Sequence, residues 1–131
     1  MNVCCVSSAL SKTQIAEKSK ILGFLPVSAR LVRSHDQLEL AHLLAKRSFN
    51  SKTNLAKVFE LEFLLWLSGE TDIRQALSKN GFSPRDFFLI WFKKQNKNKL
   101  LRELRAKERP LALETSSPEL YLEEVSLGRV L

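Results

Sequence analysis

The stretch FELEFLLWLSGETDIRQAL, from Phe59 to Leu77, decides how this chain folds. A glutamate, Glu62, lies among its most apolar residues, and Ser68-Gly69 interrupts the run before a more polar one begins. At ~100° per residue, residues 54–67 form a helix that is apolar almost all round, which is typical of a central helix. Glycine commonly ends a helix, so the sequence predicts a break at Gly69 and a further helix over about 70–79.

Glu62 needs an explanation, because burying an unpaired carboxylate costs several kcal/mol. The favoured interpretation is structural: Glu62 accepts hydrogen bonds from the free N–H groups of the next helix, just past Gly69. Two alternatives stay open, a half-exposed ion pair and a catalytic acid. No nucleophile or ligand cluster accompanies Glu62 in the sequence, which favours the structural role.

Composition indicates one globular domain over residues 1–131, with 44% hydrophobic and 27% charged residues. The net charge of +7 favours an anionic partner, nucleic acid before a membrane. The adjacent Cys4 and Cys5 provide neither a disulfide framework nor metal-ligand spacing, and they predict buried thiols in a reducing compartment. No signal peptide is apparent, and the apolar runs are shorter than the ~20 residues of a membrane span. We therefore expect a soluble intracellular protein.

The remaining elements follow from periodicity and capping. Ser34 and Gln37 form a capping box that opens a helix to about Ser48, and the unalternating FFLIWF run predicts a central strand. Together these patterns predict an α/β fold, a single small domain with a mixed sheet of about four strands packed with several helices. The predicted strands are 2–7, 27–32, 87–92 and the PLALE segment, and the other helices are 11–22, ended by Gly23, a basic helix over 96–108 and a C-terminal helix within 118–131.

The basic segment 93–109 holds eight basic and two acidic residues, which places +6 of the net +7 in seventeen residues. One interpretation is a solvated helix face; the other is contact with RNA phosphates, which needs only a row of cations along a surface. By contrast, Trp66 and Trp91 lie in apolar surroundings and are expected in the core. The candidate RNA-binding residues are Arg33, Lys93, Lys94, Lys97, Arg102 and Arg105.

No motif for catalysis is visible. The chain lacks a Walker A loop, a dinucleotide glycine fingerprint, zinc-ligand spacing and a nucleophile elbow. Ser34-His35-Asp36 contains the residue types of a triad, but sequence neighbours cannot adopt triad geometry, and helix capping explains them. We therefore predict no catalytic residue, no metal, no cofactor and no small-molecule substrate.

The run E-F-L-L-W-L-S-G-x-x-x-I-x-x-A-L-x-x-x-G, over residues 62–81, resembles the signature of the small non-catalytic subunit of the KEOPS complex, the TPRKB-like family. The likeness extends over roughly residues 2–108. The chain differs from the family pattern at Lys57 and Thr71-Asp72. The residues that carry the resemblance most specifically are Glu62, Ser68, Gly69, Ile73, Ala76 and Gly81.

The resemblance implies a protein that is not an enzyme. Such a subunit binds and supports the kinase-like ATPase subunit of a complex that installs threonylcarbamoyladenosine in tRNA, and it helps recruit tRNA, including the 3′ CCA end. It implies a cytoplasmic location, and a nuclear one as well where the source cell has a nucleus. The alternative is a free-standing basic RNA-binding protein, and a remote third hypothesis is a hydrolase that uses Glu62.

The C-terminal helix and four residues of the signature also have predicted roles. The C-terminal helix is more apolar than a terminal helix needs, which predicts a surface for the kinase-like partner formed by Leu120, Tyr121 and Val125. Four residues of the signature are predicted to have structural roles: Glu62, Ser68, Gly69 and Ile73.

Overall fold

The computed structural model describes residues 1–109, and these divide into two compact units. The first, here called the sheet unit, joins Met1–Ala29 to residues 81–109. The second, the helical unit, is formed by Arg30–Asn80. A four-stranded sheet and five helices confirm the predicted α/β class, and the assignment of residues 1–131 to one domain stays a prediction.

The sheet contains β1 (Asn2–Ser8), β2 (Leu25–Ser28), β3 (Phe87–Trp91) and β4 (Ala106–Arg109) in the order β2-β3-β1-β4. All three described pairings are antiparallel, so the predicted mixed sheet is wrong. The helical connection from β1 to β2 does make these two strands run in the same direction. However, β3 lies between them and pairs with both, so they form no parallel pair.

Two helices, α1 (Lys12–Leu22) and α5 (Lys97–Glu103), pack on one face of this sheet. All five residues of β3 are buried, which confirms the prediction of a central strand. Because buried apolar area is the main favourable contribution to folding, this strand holds the sheet unit together. The core cluster consists of Cys4, Val6, Ile15, Phe24, Phe82, Phe87, Leu89, Trp91, Leu100 and Leu104.

Capping explains where α1 begins and ends. Ser11 and Gln14 exchange side-chain and backbone hydrogen bonds in a capping box. At the other end, Gly23 adopts a left-handed conformation with φ 75° and donates its N–H to the Ser19 carbonyl at 2.9 Å. Both ends agree with the sequence prediction. The strand predicted over 27–32 is shorter and lies earlier, because β2 spans Leu25–Ser28 and a turn follows.

The helical unit contains α2 (His35–Asn50), α3 (Phe59–Ser68) and α4 (Ile73–Asn80). Ser34 Oγ accepts the Gln37 N–H at 3.1 Å, as predicted. The Gln37 side chain accepts from the Arg33 N–H at 2.8 Å rather than from Ser34. The second half of the predicted capping box is therefore displaced by one residue, and the connection before α2 is still hydrogen-bonded.

The apolar helix α3 begins at Phe59, not at residue 54, and ends where the sequence predicted. Gly69 is left-handed, with φ 73°, and donates its N–H to the carbonyls of Leu65 and Trp66.

No helix in residues 1–109 combines the length and apolar character needed to cross a membrane. The predicted PLALE strand and the C-terminal helix 118–131 lie outside the described residues.

Candidate nucleic-acid interface

The basic segment folds as a short helix followed by a strand, so the predicted continuous helix over 96–108 is wrong. The Asn96 side chain accepts the N–H groups of Asn98 and Lys99 at 2.9 and 3.3 Å and begins α5. The helix ends at Glu103, and β4 begins at Ala106. The apolar pattern allowed either structure, and pairing of β4 with β1 decided it.

The turn between α5 and β4 is held on both sides by hydrogen bonds. Ser8 Oγ donates to the Leu104 carbonyl at 2.5 Å, and the Ala9 N–H donates to the Arg105 carbonyl at 3.1 Å. Leu104 is fully buried beneath the turn. Arg105 adopts φ 46°, a left-handed conformation that costs a non-glycine residue roughly 1–2 kcal/mol. The turn thus fixes the backbone of an exposed arginine.

The acidic residues of the segment have cationic partners. Glu103 lies 3.5 Å from Lys18 of α1, and Glu108 lies 3.0 Å from Lys97. The hydrogen bond and charge of Glu108 raise the pKa of Lys97. Lys97, a predicted RNA-binding residue, is therefore engaged in an ion pair, although exposed pairs of this kind contribute only ~0–1 kcal/mol.

Four cations converge on an open depression of about 470 Å³. Two of them, Arg102 and Arg105, were predicted from the sequence as RNA-binding residues, and both are exposed. With one carboxylate among four cations, the lining carries a formal charge of +3. No local sequence signal associates the α1 residue with the others, since only the packing of α1 and α5 on the sheet brings them together. The lining residues are Lys18, Lys99, Arg102, Glu103 and Arg105.

The other candidate residues lie elsewhere. Lys93 and Lys94 are exposed in the connection between β3 and α5. Arg33 is exposed in the helical unit, where its backbone N–H donates to Gln37. Of the six predicted RNA-binding residues, Arg102 and Arg105 therefore line the depression, and the other four are not among its lining residues.

Neither tryptophan forms an exposed stacking platform in the basic cluster. Trp91 is only 4% exposed within the core of the sheet unit. Trp66 belongs to the helical unit, and its indole N–H lies 3.4 Å from Ser48 Oγ. Any base recognition near the depression would need groups other than these two rings.

Glu62 is fully buried, and its carboxylate accepts three hydrogen bonds. Oε1 accepts the backbone N–H groups of Leu55 and Ala56, both at 3.0 Å, and Oε2 accepts the Ser48 hydroxyl at 2.6 Å. The prediction that these donors lie beyond Gly69 is wrong. The donors come instead from the segment before α3, whose N–H groups are available because residues 54–58 are not helical.

Ser48 extends this arrangement, which we call the Glu62 network. Its hydroxyl also lies 3.0 Å from the Ala45 carbonyl, but a hydroxyl has one proton, and the shorter distance favours donation to Glu62. Trp66 Nε1 then donates to the same oxygen. The network links the last turn of α2, the connection 51–58 and α3. This geometry favours a structural role for Glu62.

The Ser68-Gly69 break is also hydrogen-bonded. The Ser68 carbonyl accepts the Lys79 ammonium at 2.7 Å, and Ser68 Oγ donates to the Leu65 carbonyl at 3.3 Å. Asp72 Oδ1 accepts the Arg74 N–H at 2.8 Å just as α4 begins at Ile73. The break therefore joins two helices through satisfied polar groups and presents no obvious reactive group.

The buried thiols have pKa values unsuited to nucleophilic chemistry. Burial, followed by the negative charge of Glu108, raises the pKa of Cys4 to about 11. Burial and the neighbouring Asp86 carboxylate also raise the pKa of Cys5. Both side chains are thiols near neutral pH, and a thiol is a far weaker nucleophile than a thiolate.

Metal-ligating side chains do not gather into groups of three or more within residues 1–109. The predicted partner-binding residues Leu120, Tyr121 and Val125 lie outside this range, so the structure does not describe them.

No protein-family profile matches the chain, and a search of curated proteins finds no match to it.

Proposed function

We propose that this protein is a non-catalytic, KEOPS-type small subunit that binds the kinase-like ATPase subunit and helps recruit tRNA, including its 3′ CCA end, for threonylcarbamoyladenosine formation. The observation that carries the proposal is the signature over residues 62–81. Three of its six most specific residues, Glu62, Ser68 and Gly69, lie in the Glu62 network or at the α3–α4 break, where hydrogen bonds connect the helical unit. A cytoplasmic location, with a nuclear one in a nucleated cell, belongs to the same proposal.

The RNA-binding part is supported by the depression of the sheet unit. Its two arginines are exposed, and a guanidinium can grip a phosphate with two hydrogen bonds. The formal charge of +3 attracts a polyanion at long range, and contacts to phosphates do not depend on base sequence. These properties suit recruitment, in which the protein supplies affinity while another subunit supplies chemistry.

Co-purification tests membership in the complex. The tagged protein at native abundance is expected to retain the kinase-like subunit stoichiometrically through gel filtration. A control protein of similar size and charge distinguishes this from charge-driven capture. Absence of the kinase-like subunit, together with retained tRNA binding, would instead identify a free-standing basic RNA-binding protein, the alternative that the exposed cations also favour.

Charge reversal tests the RNA-binding part. Changing Arg102 and Arg105 together to Glu should weaken tRNA binding at least tenfold and leave the unfolding free energy nearly unchanged, because both side chains are exposed. The matched control, Lys20→Glu with Lys46→Glu, makes the same change in net charge at exposed positions outside the depression. Equal affinities for the two double variants would show that only net charge matters.

A further inference from the structure

We propose that the depression is a discrete phosphate-binding site for the backbone of single-stranded RNA, and that Lys18 of α1 is one of its ligands. The inference rests on the RNA-binding part of the proposed function and deepens it, because it replaces a diffuse basic segment by a defined site. The discrete site differs from the basic segment in one ligand, Lys18, which lies outside residues 93–109.

The cations of the depression come from three different elements of the sheet unit. Lys18 comes from α1, Lys99 and Arg102 from α5, and Arg105 from the turn into β4. Cations from three elements around a concavity reach the same anion from several directions, whereas a row along one helix cannot. A concave surface with a net positive charge also concentrates the electrostatic potential.

The dipole of α5 does not supply the attraction for an anion. The depression is lined by residues near the C-terminal end of α5, where the helix dipole disfavours an anion. Affinity must therefore come from the side chains. Arg102 and Arg105 form no ion pair with another described residue, so a phosphate displaces no carboxylate of residues 1–109 from either guanidinium.

Lys18 does have a competing partner in Glu103. The two side chains are 3.5 Å apart and are 36% and 46% exposed, respectively. An exposed pair at this distance is weak, so Lys18 can turn toward a phosphate at little cost. Without RNA, Glu103 holds the ammonium group beside the depression.

The backbone beneath the site is held in place by buried side chains and a hydrogen bond. Leu100 and Leu104 anchor α5 and its C-terminal end in the core, with exposures of 2% and 0%. The Ala9 N–H bonds the carbonyl of Arg105 itself. Because this backbone is already fixed, binding a ligand restricts only the long side chains, and less conformational entropy is lost. The site thus combines mobile cations with a fixed framework.

The shape favours a flexible single strand over a duplex. A concavity of about 470 Å³ admits one phosphate together with its sugar when the strand can bend into it. The phosphates of a duplex lie on a stiff convex surface and would meet only the rim. We therefore expect stronger binding of a single-stranded oligouridylate than of a duplex of the same length.

Lys18→Gln compared with Lys20→Gln is the central test. Both residues lie on α1 and lose one positive charge, but a ~200° separation around the helix places Lys20 away from Lys18. Binding of a fluorescein-labelled oligouridylate, measured by anisotropy, should fall roughly fivefold for Lys18→Gln and less than about twofold for Lys20→Gln. The log–log salt slope should fall by ~0.7 for Lys18→Gln alone.

Competition by inorganic phosphate requires no variant. At a constant ionic strength, replacing chloride by phosphate should weaken oligouridylate binding to the wild type, because phosphate occupies a discrete site while ionic screening is unchanged. The effect should disappear in Arg102→Gln and persist in Lys107→Gln, which removes an exposed cation of β4 outside the depression.

The outcomes separate the two proposals. Equal losses in Lys18→Gln and Lys20→Gln, or equal effects of phosphate and chloride, overturn the discrete site while RNA binding stands. A wild-type protein that binds neither tRNA nor oligouridylate overturns both. Preferential loss in Lys18→Gln with selective competition by phosphate supports the site, whether or not the kinase-like subunit co-purifies.

Discussion

The two units hold charged side chains in opposite ways. In the helical unit, the carboxylate of Glu62 is buried and accepts three hydrogen bonds from its own chain. In the sheet unit, Arg102 and Arg105 are exposed around a depression and form no ion pair with the described residues. A satisfied buried charge contributes to the integrity of the fold, whereas an exposed charge without a partner is available to a ligand.

This contrast predicts which substitutions change stability and which change binding. Removing the buried acceptor leaves a buried donor, the Ala56 N–H, without its partner, so the cost falls on folding. Removing an exposed cation leaves no buried group without a partner, because water solvates its surroundings. Such a substitution therefore lowers the affinity for the ligand and not the unfolding free energy.

Glu62→Ala should have the largest effect, a loss of about 2–4 kcal/mol of unfolding free energy in urea denaturation. The substitution leaves the N–H groups of Leu55 and Ala56 without their acceptor. Glu62→Gln keeps one acceptor oxygen and should lose less. Glu60→Ala, on the same helix but only half-buried, is the matched control. A Glu62→Ala protein as stable as the control would contradict the buried network.

Alkaline pH should destabilise the sheet unit through Cys4. Its pKa is about 11 in the folded protein, against 9.0 as the reference value, so above pH 9 the unfolded chain loses its proton first. Stability is therefore fully present below pH 9 and declines as pH rises toward 11, by about 2–3 kcal/mol from this thiol.

The measurement for Cys4 is the slope of unfolding free energy against pH, in the wild type and in Cys4→Ala. Comparing slopes removes the constant cost of the smaller side chain. The variant should lack the extra alkaline decline, and parallel slopes would mean that Cys4 does not ionise later in the folded state than in the unfolded one.

The two left-handed glycines allow a matched comparison between the units. Gly23→Ala and Gly69→Ala should each lower the unfolding free energy by about 1 kcal/mol, because φ is 75° and 73° at these helix ends. A Cβ on Gly23 would meet the Gln95 side chain at an ordinary contact distance of 3.6 Å, so strain at this site comes from the backbone. A markedly larger loss at either position, measured by thermal unfolding, would indicate a packing conflict in that unit.

Arg105→Asn should have the smallest effect on stability and an opposite effect on binding. Asparagine adopts φ 46° more readily than arginine, so unfolding free energy should rise by up to about 1 kcal/mol. RNA affinity should fall because the guanidinium is lost. Urea denaturation and anisotropy on the same sample test both signs, and a fall in both quantities would mean that Arg105 also supports the fold.

Local signals in the sequence were sufficient for much of the architecture. Gly23 ended α1, Gly69 ended α3, and the unalternating apolar run of β3 predicted a buried central strand. These features depend on residues within a few positions of one another, where capping and periodicity act. The burial of Glu62 also followed from its apolar neighbours.

Tertiary structure decided what those signals left open. Pairing with β1 converted the end of the predicted basic helix into β4, and the placement of β3 between β1 and β2 made every described pairing antiparallel. The donors to Glu62 were determined by the irregular segment before α3, and Lys18 joined the cations of α5 only through packing on a shared sheet face. The sequence by itself determined which groups are apolar, charged or able to cap a helix, because these are properties of residues and near neighbours. Which distant groups meet depends on the sum of all contacts in the folded chain, and no local pattern contains that sum.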